Sequence, residues 1–418
     1  MNDTTQTSPL AQRAALDTPL ELPCGVILPN RLAKSALSED MSDRANSPSD
    51  QLIRLYERWG KGGLGMIVTG NVMVDRRSIG EPRNVVIEDD RDAARLREWS
   101  AAIGASGSLA IVQLNHPGRQ TLPPISSRVV GPSAVRVKIP GTRFPTPRTL
   151  RTDEIEEQIN RFATAAAVSV NAGFDGVQLH AAHGYLFSQF LSPMANVRDD
   201  EWGGDAVRRR RFLIETVRAV RARIGGERVL AVKLNSADFQ RGGFDEDESL
   251  EVIRALEVEG IDLLEISGGT YARSAMLGQG GKQSDSTRAR EAYFLEFAER
   301  VRASVELPLM ITGGLRSAGA MSEALEAGID VIGLGRPLTY EPGLAHSLLA
   351  DPNARSSLKP VSAGIKQLNG AAELFWHSHQ MHRMGAGKDP TRRLGGRRAI
   401  AMALVRDGVN ALSRKRGG

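Results

Sequence analysis

Short apolar runs alternate along the chain with longer stretches whose apolar positions recur at helical spacing. Residues 31–37 form the first strand candidate, flanked by Pro29-Asn30. Residues 49–61 follow with a helical pattern, Asp50 near its start and Gly62-Gly63 after its end. The run 64–69 is the next strand. The pairing then recurs as helix 92–105 and strand 109–114, helix 152–171 and strand 175–180, helix 205–224 and strand 229–234, helix 246–259 and strand 262–266, helix 287–304 and strand 308–311, and helix 317–326 and strand 330–333. Eight strands alternating with helices predict parallel pairing through right-handed crossovers, and that number favours closure into a barrel. The rival is an open doubly wound sheet, which carries a Gly-rich turn after its first strand. Leu37-Ser38-Glu39-Asp40 has no glycine there. The fold class is therefore α/β, a (β/α)8 TIM barrel with a C-terminal helical extension. Residues 1–20 read as a flexible N-terminal arm, 21–350 as the barrel, and 351–418 as an extension with a basic tail. Within the extension, 366–384 is predicted to be helical and to pack through Leu374, Phe375 and Trp376, whereas the chain after Met384 is expected to be dispensable for the fold. The Pro-, Ser- and Gly-rich stretch 123–148 is too long for an ordinary connection and reads as a lid over the carboxyl ends of the strands.

Composition narrows the class. Of 418 residues, 41% are hydrophobic and 25% charged, as in a globular protein with a sizeable core. No apolar run approaches the ~20 residues that span a bilayer, and residues 1–17 are polar without a secretory core, so no membrane partner and a cytoplasmic location are expected. The net charge of +5 sits in the tail, where nine Lys and Arg from Lys388 onward face only Asp389 and Asp407. A terminal run of this kind is a solvated segment, and nucleic acid is not expected as a partner. Cys24 is the only cysteine. This excludes internal disulfides, iron–sulfur clusters and thiolate zinc sites, so any redox chemistry must come from a bound organic cofactor.

A barrel gathers its chemistry at the carboxyl ends of its strands. The fourth strand ends in His180-Ala-Ala-His-Gly-Tyr-Leu186, so that two imidazoles and a phenol leave one strand together. A lone histidine there reads equally well as a satisfied core residue. A second at His183, with Tyr185 beyond it, favours a site. Spacing of i, i+3 without a neighbouring carboxylate or thiolate argues against zinc. The other strand ends bring Ser35, Ala36, Leu37, Ser38, Gly70, Gln113, Lys233, Ser267-Gly268, Gly313-Gly314 and Gly335-Arg336. The glycines after strands 7 and 8, with the Arg336 guanidinium, suit a phosphate. Gln113 and Lys233 suit a polar heterocycle with a pole that becomes negative on reduction, although Lys233 reads alternatively as paired with a buried carboxylate inside the barrel.

Leu28-Pro-Asn-Arg-Leu32, Gln113-Leu-Asn-His-Pro-Gly-Arg-Gln120 and Gly173-Phe-Asp-Gly-Val-Gln-Leu-His-Ala-Ala-His-Gly-Tyr-Leu186 are followed by Phe190-Leu-Ser-Pro193 and by Asn196, Arg198, Glu201, Gly203, Gly204, Arg209, Arg211 and Phe212. Over 22–349 this set resembles the Old Yellow Enzyme, or NADH:flavin oxidoreductase, family of FMN-containing (β/α)8 barrels. The resemblance implies that Ser35, Ala36, Leu37, Ser38, Gly70, Gln113, Lys233, Gly314, Gly335 and Arg336 hold FMN. It implies too that His180 and His183 bind a substrate carbonyl oxygen, that Tyr185 donates a proton, and that NADH or NADPH is the cosubstrate. Some positions depart from the family pattern. Ser38 stands where relatives often have threonine or cysteine, Lys34 and Ala36 replace an apolar residue and a proline, and Lys233 stands where many members have arginine. Larger relatives append an iron–sulfur cluster and a second nucleotide-binding domain; with one cysteine and a short remainder after the barrel, this chain is expected to be a one-domain, single-flavin enzyme that resembles the ene-reductase branch. The implied partner is a small enone-type compound, with homo-oligomerisation open. The alternatives are an FMN-dependent dehydrogenase or demethylase on the same barrel and a flavin-binding protein with little turnover.

Overall fold

The computed structural model describes residues 15–122, 125–139, 142–267 and 296–414. Eight parallel strands close on themselves: β1 (Leu32–Lys34), β2 (Met66–Met73), β3 (Leu109–Asn115), β4 (Gly176–Ala181), β5 (Val229–Asn235), β6 (Leu263–Ser267), β7 (Leu309–Thr312) and β8 (Val331–Leu334). Each pairs with its neighbours in sequence, and β1 pairs with both β8 and β2. Around them stand α1 (Asp50–Gly60), α2 (Ala93–Gly104), α3 (Thr152–Asn171), α4 (Ala206–Ile224), α5 (Glu246–Val258), α6 (296–302), α7 (Ala318–Glu326) and α8 (Leu344–Ala350). Ser49, Asp205, Asp245 and Ser317 each cap a helix by accepting a backbone N–H in its first turn. The barrel expected from the alternation is thus the fold. The part of the expected sixth helix over 287–295, and Gly268 beside it, lie outside the described residues.

The first two strands differ from expectation for one reason. β1 stops at Lys34 and β2 continues to Met73 through a register shift between Val68 and Asn71. At the shift the Gly70 N–H leaves the ladder and donates to Glu39 and to the Tyr56 hydroxyl. A side chain at Gly70 would meet Glu39 Oε2 at 2.2 Å and the Leu37 carbonyl at 2.3 Å, so only glycine admits the incoming loop.

Two apolar layers hold the barrel. Val112, Leu114, Val177, Leu179, Val232 and Leu234 face outward against helical side chains such as Trp59, Trp99, Phe162 and Phe212. Met66, Val68, Ile111, Ala231, Leu263, Met310 and Val331 face inward. Strand alternation then places a second inward position two residues further on, and there the residues turn polar: Gln113 after Ile111, Lys233 after Ala231, Glu265 after Leu263, Thr312 after Met310. The interior is apolar towards the amino ends and polar towards the carboxyl ends. An antiparallel hairpin, Leu20–Glu21 with Ile27–Leu28, covers the amino end and buries Leu22 and Leu28 against the inner layer. Just before it Leu16 is buried and its carbonyl accepts from the Arg31 N–H, so the last residues of the expected arm are pinned to the barrel. Between β3 and α3, Val130–Gly131 pairs with Arg148–Thr149, and Lys138–Ile139 forms a hairpin with Thr142–Arg143.

The C-terminal extension contains α9 (Asn369–Gly385), where a helix is predicted, and α10 (Gly396–Arg414), where the basic composition hides one. Trp376 is 3% exposed, packs with Leu358, Leu394 and Ala399, and donates its indole N–H to the Leu394 carbonyl at 2.9 Å. Gln380 exchanges two hydrogen bonds with the Thr391 backbone. The chain after Met384 therefore buries more than its charge suggests, and the expectation that it is dispensable is replaced. Trp376→Ala is expected to destabilise by about 3–5 kcal/mol, the usual loss for a buried aromatic, and truncation after Met384 to lower the thermal midpoint in the same direction. Calorimetry of the two variants checks this: an unchanged midpoint in both would show that α10 adds nothing to the fold.

Candidate active site

The polar upper interior is one connected network. The Glu265 carboxylate is fully buried and accepts from Lys233 Nζ at 2.7 Å and Thr312 Oγ1 at 2.6 Å through one oxygen, and from Gln178 Nε2 at 2.8 Å through the other. Gln178 Oε1 accepts from Gln113 Nε2 at 2.7 Å, and Thr312 Oγ1 lies 2.7 Å from Ser35 Oγ. Gly333 completes the ring from β8, since a side chain there would lie 2.1 Å from Thr312 Oγ1 and 2.4 Å from Ser35 Oγ. Of the two readings of Lys233, pairing with a buried carboxylate is the one seen. An ammonium has three donors, so this ion pair leaves two further hydrogens.

His180 stands directly above this layer, on the same side of β4 as Gln178. It is 3% exposed, and its Nδ1 accepts from the Ala182 N–H at 3.3 Å. Burial, His183 and Lys233 hold its pKa well below the ordinary imidazole value. The ring is thus neutral at pH 7, and with Nδ1 accepting, the proton resides on Nε2. His183 follows in the left-handed conformation (φ 61°), with Gly184 after it (φ 76°). This bend folds the chain back, and His183 Nε2 comes within 2.7 Å of Ser267 Oγ on β6. Asn235 on β5 fixes the bend by accepting the His183 N–H at 3.1 Å, and Gln120 donates to the His183 carbonyl at 2.8 Å. Burial and the Lys233 charge keep His183 neutral as well. Tyr185 returns beside them, its ring 4.9 Å from that of His180, which lies 5.0 Å from that of His183. The short helix Leu186–Leu191 starts next and is buried throughout. The three residues singled out at this strand end do converge.

The loop after β1 lies opposite. Lys34, fully buried, donates to the carbonyls of Ser35 (3.2 Å) and Val68 (2.9 Å), with its ammonium 4.5 Å from the Trp59 ring centre. Burial pushes it down to about 8, against the pull of nearby Glu39. Burial raises Glu39, while Lys34 and the Tyr56 hydroxyl, which donates to it, hold it down. This cluster anchors the segment that carries Ala36, Leu37 and Ser38. Asn71, just past the break in β2, donates from Nδ2 to Ser38 Oγ (3.1 Å) and to the Tyr185 hydroxyl (3.3 Å), joining the loop to the phenol.

After β7 and β8 the chain opens a cradle. Gly313 (φ 122°) and Gly314 (φ 80°) are left-handed, a side chain at Gly313 would meet nothing within 4 Å, and one at Gly335 only Leu37 Cδ2 at 3.5 Å. Arg336, at the start of a 3-10 turn, pairs with Glu373 of α9 at 2.6 Å and is half exposed. The open backbone and mobile-length guanidinium fit a phosphate. Buried polar atoms without a partner among the described residues stand at the other strand ends: both amide atoms of Asn115, and Asn235 Nδ2. Groups of this kind call for a polar ligand. The residues present therefore fit a flavin mononucleotide. Among the described residues no group of three His, Cys, Asp or Glu side chains is placed to hold a metal.

Ser267 is among the strand-end residues read from the sequence, but Gln178, Glu265, Asn115 and Asn235 escape that reading although a signal exists: Gln113-Leu-Asn115, Gln178-Leu-His180, Lys233-Leu-Asn235 and Glu265-Ile-Ser267 repeat one polar–apolar–polar pattern at four strand ends. Asn71 carries no such signal, because the register shift puts it out of phase.

Known proteins share this architecture. The NADH:flavin oxidoreductase / NADH oxidase family model matches residues 16–351. The chain is 34% identical to an NADH-dependent flavin oxidoreductase of Hypocrea jecorina, over 81% of this chain and 90% of the relative. It is also 34% identical to one of Neonectria sp., over 80% of this chain but only 47% of that longer protein. The solved structure of the old yellow enzyme homologue from Zymomonas mobilis superposes with a TM-score of 0.68 at 25% identity, covering 82% of this chain and 95% of the other. With the family model spanning the whole barrel and a full-length relative above 30% identity, the chain belongs to the Old Yellow Enzyme, or NADH:flavin oxidoreductase, family.

Proposed function

We propose that this flavin-family oxidoreductase takes hydride from NADH or NADPH and delivers it to the activated C=C bond of an α,β-unsaturated carbonyl compound. The observation that carries the reading is the meeting of two neutral imidazoles with a phenol at the end of β4, an oxyanion site with an acid beside it. Gly314, Gly335 and Arg336 would hold the FMN phosphate, and Ser35, Ala36, Leu37, Ser38, Gly70, Gln113 and Lys233 the remainder of the cofactor. Bound FMN supplies the hydride. His180 and His183 donate to the carbonyl oxygen of the enone; each neutral ring has one N–H, and a donor aimed at a developing oxyanion is commonly worth ~3 kcal/mol. Tyr185 gives the proton to the α-carbon, as a phenol protonated at neutral pH is suited to do. A flavin-binding protein without turnover has no use for a positioned acid.

Purified protein should show the visible absorption of a flavin. Arg336→Ala removes a charge-assisted phosphate contact of about 1.5–3 kcal/mol, so FMN affinity should fall roughly 10- to 100-fold. Glu373→Gln removes the carboxylate that competes for the same guanidinium and should tighten binding. Fluorescence titration of the deflavinated protein measures both, and equal affinities in all three forms would place the phosphate elsewhere.

Tyr185→Phe separates the two halves of the cycle. Flavin reduction by NAD(P)H takes no proton from a phenol and should keep its rate, whereas reoxidation by 2-cyclohexenone should slow ~10²–10⁴-fold, the usual loss of a positioned acid. Stopped-flow absorbance resolves the halves. Equal slowing of both, or of neither, would remove Tyr185 from the proton-donor role.

A further inference from the structure

We propose that Asn115 is a further substrate-binding residue, whose amide pairs with an N–H next to the carbonyl received by His180 and His183, so that the enzyme favours unsaturated imides over plain enones. The inference rests on the reading of the two histidines as the carbonyl site and adds to it the class of compound they admit.

The register of the barrel brings Asn115 to the histidines. β4 and β3 pair Gln178 with Gln113 and Leu179 with Leu114, so His180 and Asn115 are the next step of the same ladder. Residues paired in this way lie on neighbouring strands about 5 Å apart and share a face. Gln113 and Gln178 show which face it is, because their side chains meet inside the barrel, Nε2 donating to Oε1 at 2.7 Å. Two residues further on, Asn115 and His180 face inward in turn. They form the layer above the Glu265 network, and both are enclosed, Asn115 with 0% and His180 with 3% of its surface exposed. The strand end that carries Asn115 is itself fixed: its carbonyl accepts the Val74 N–H at 3.2 Å, and the next carbonyl, of His116, accepts the Leu186 N–H at 3.0 Å.

The side chain, by contrast, has no use within the fold. Neither Oδ1 nor Nδ2 of Asn115 meets a hydrogen-bond partner among the described residues. Gln113, Gln178, Asn235 and Asn71 around it each spend at least one end on the protein. An unpaired buried amide is a cost that an apolar side chain of like volume does not carry, and a ligand that pairs with the amide removes it.

What can pair with it follows from its two ends. An asparagine amide sets one acceptor beside two donors. An imide offers the complement, a carbonyl, an N–H and a second carbonyl in a row. With the first carbonyl at the imidazoles, the N–H is left for Oδ1 and the second carbonyl for Nδ2. A plain ketone leaves both ends bare, a carboxylate has no hydrogen for Oδ1, and a lone hydroxyl engages one end at a time. The carboxamide of NADH also sets an N–H beside a carbonyl, so one side chain reads both visitors to the pocket.

Maleimide and N-methylmaleimide test this in the FMN-loaded enzyme, because they differ only at the nitrogen. Each takes up a hydride and a proton across its C=C bond and becomes the corresponding succinimide. Stopped-flow reoxidation of the wild type should be roughly 10- to 100-fold faster with maleimide at equal low concentration, the usual consequence of leaving buried polar groups unpaired. Asn115→Leu keeps the volume and removes the hydrogen bonds, so it should erase the ratio by slowing maleimide. A preference set by crowding of the methyl group would instead survive in Asn115→Leu, and an unchanged ratio there overturns the proposal. Binding without turnover gives a second readout: succinimide should perturb the flavin absorbance of the wild type with a Kd at least about 10-fold below that of N-methylsuccinimide. The two should bind alike in Asn115→Leu and in Asn115→Ala, the second variant serving the comparison should leucine upset the fold. Equal affinities in the wild type overturn the proposal as well. If His180→Ala leaves reoxidation by both maleimides untouched, the carbonyl site lies elsewhere and the underlying reading fails instead.

Discussion

One buried carboxylate organises the interior of this barrel. Glu265 is fully enclosed and shared by Lys233, Thr312 and Gln178, and through them by Gln113 and Ser35, so hydrogen bonds run from β3 round to the start of the loop after β1. Burying a charged pair carries a desolvation cost that good geometry only offsets, but removing one partner leaves an uncompensated charge worth about 3–5 kcal/mol. The network is therefore kept whole or lost whole. It also divides the barrel by chemistry, hydrocarbon towards the amino ends and ligand-directed polar groups towards the carboxyl ends.

The site stands on that floor. His180 continues the inward face that Gln178 begins, and Asn235 and Ser267, two residues above Lys233 and Glu265, receive the backbone and ring of His183. His183 accepts a left-handed backbone to get there, a conformation that is costly for a residue with a side chain and is held by these contacts on either side. The opposite wall depends on a defect rather than on regular pairing. Where Gly70 abandons the ladder, the loop after β1 enters, and Asn71 is turned towards the phenol.

Much of this was legible in the chain because it obeys a period. Alternating runs yield the barrel, and His180, His183 and Tyr185 stand out because polar groups leaving one strand together have no reason to be there as packing. What was hidden breaks the period or crosses long distances. Glu265 lies inside a short apolar run and only its alignment with Lys233 on the neighbouring strand, 32 residues away, exposes its role. Asn71 follows a register shift, and Glu373 reaches Arg336 from α9, 37 residues further along the chain. Spacing also left Lys233 with two readings, since a lysine looks the same whether it awaits a ligand or already has a carboxylate.

The hairpin that seals the amino end has a consequence for traffic. Among the described residues, Leu22 and Leu28 stopper one mouth with a hydrocarbon layer behind them, which leaves the carboxyl ends as the approach to the polar floor. A protein that receives hydride from one compound and passes it to a second must admit both by the same door, one after the other. Each then blocks the other's entry, and how quickly the spent donor leaves governs how soon the next visitor arrives.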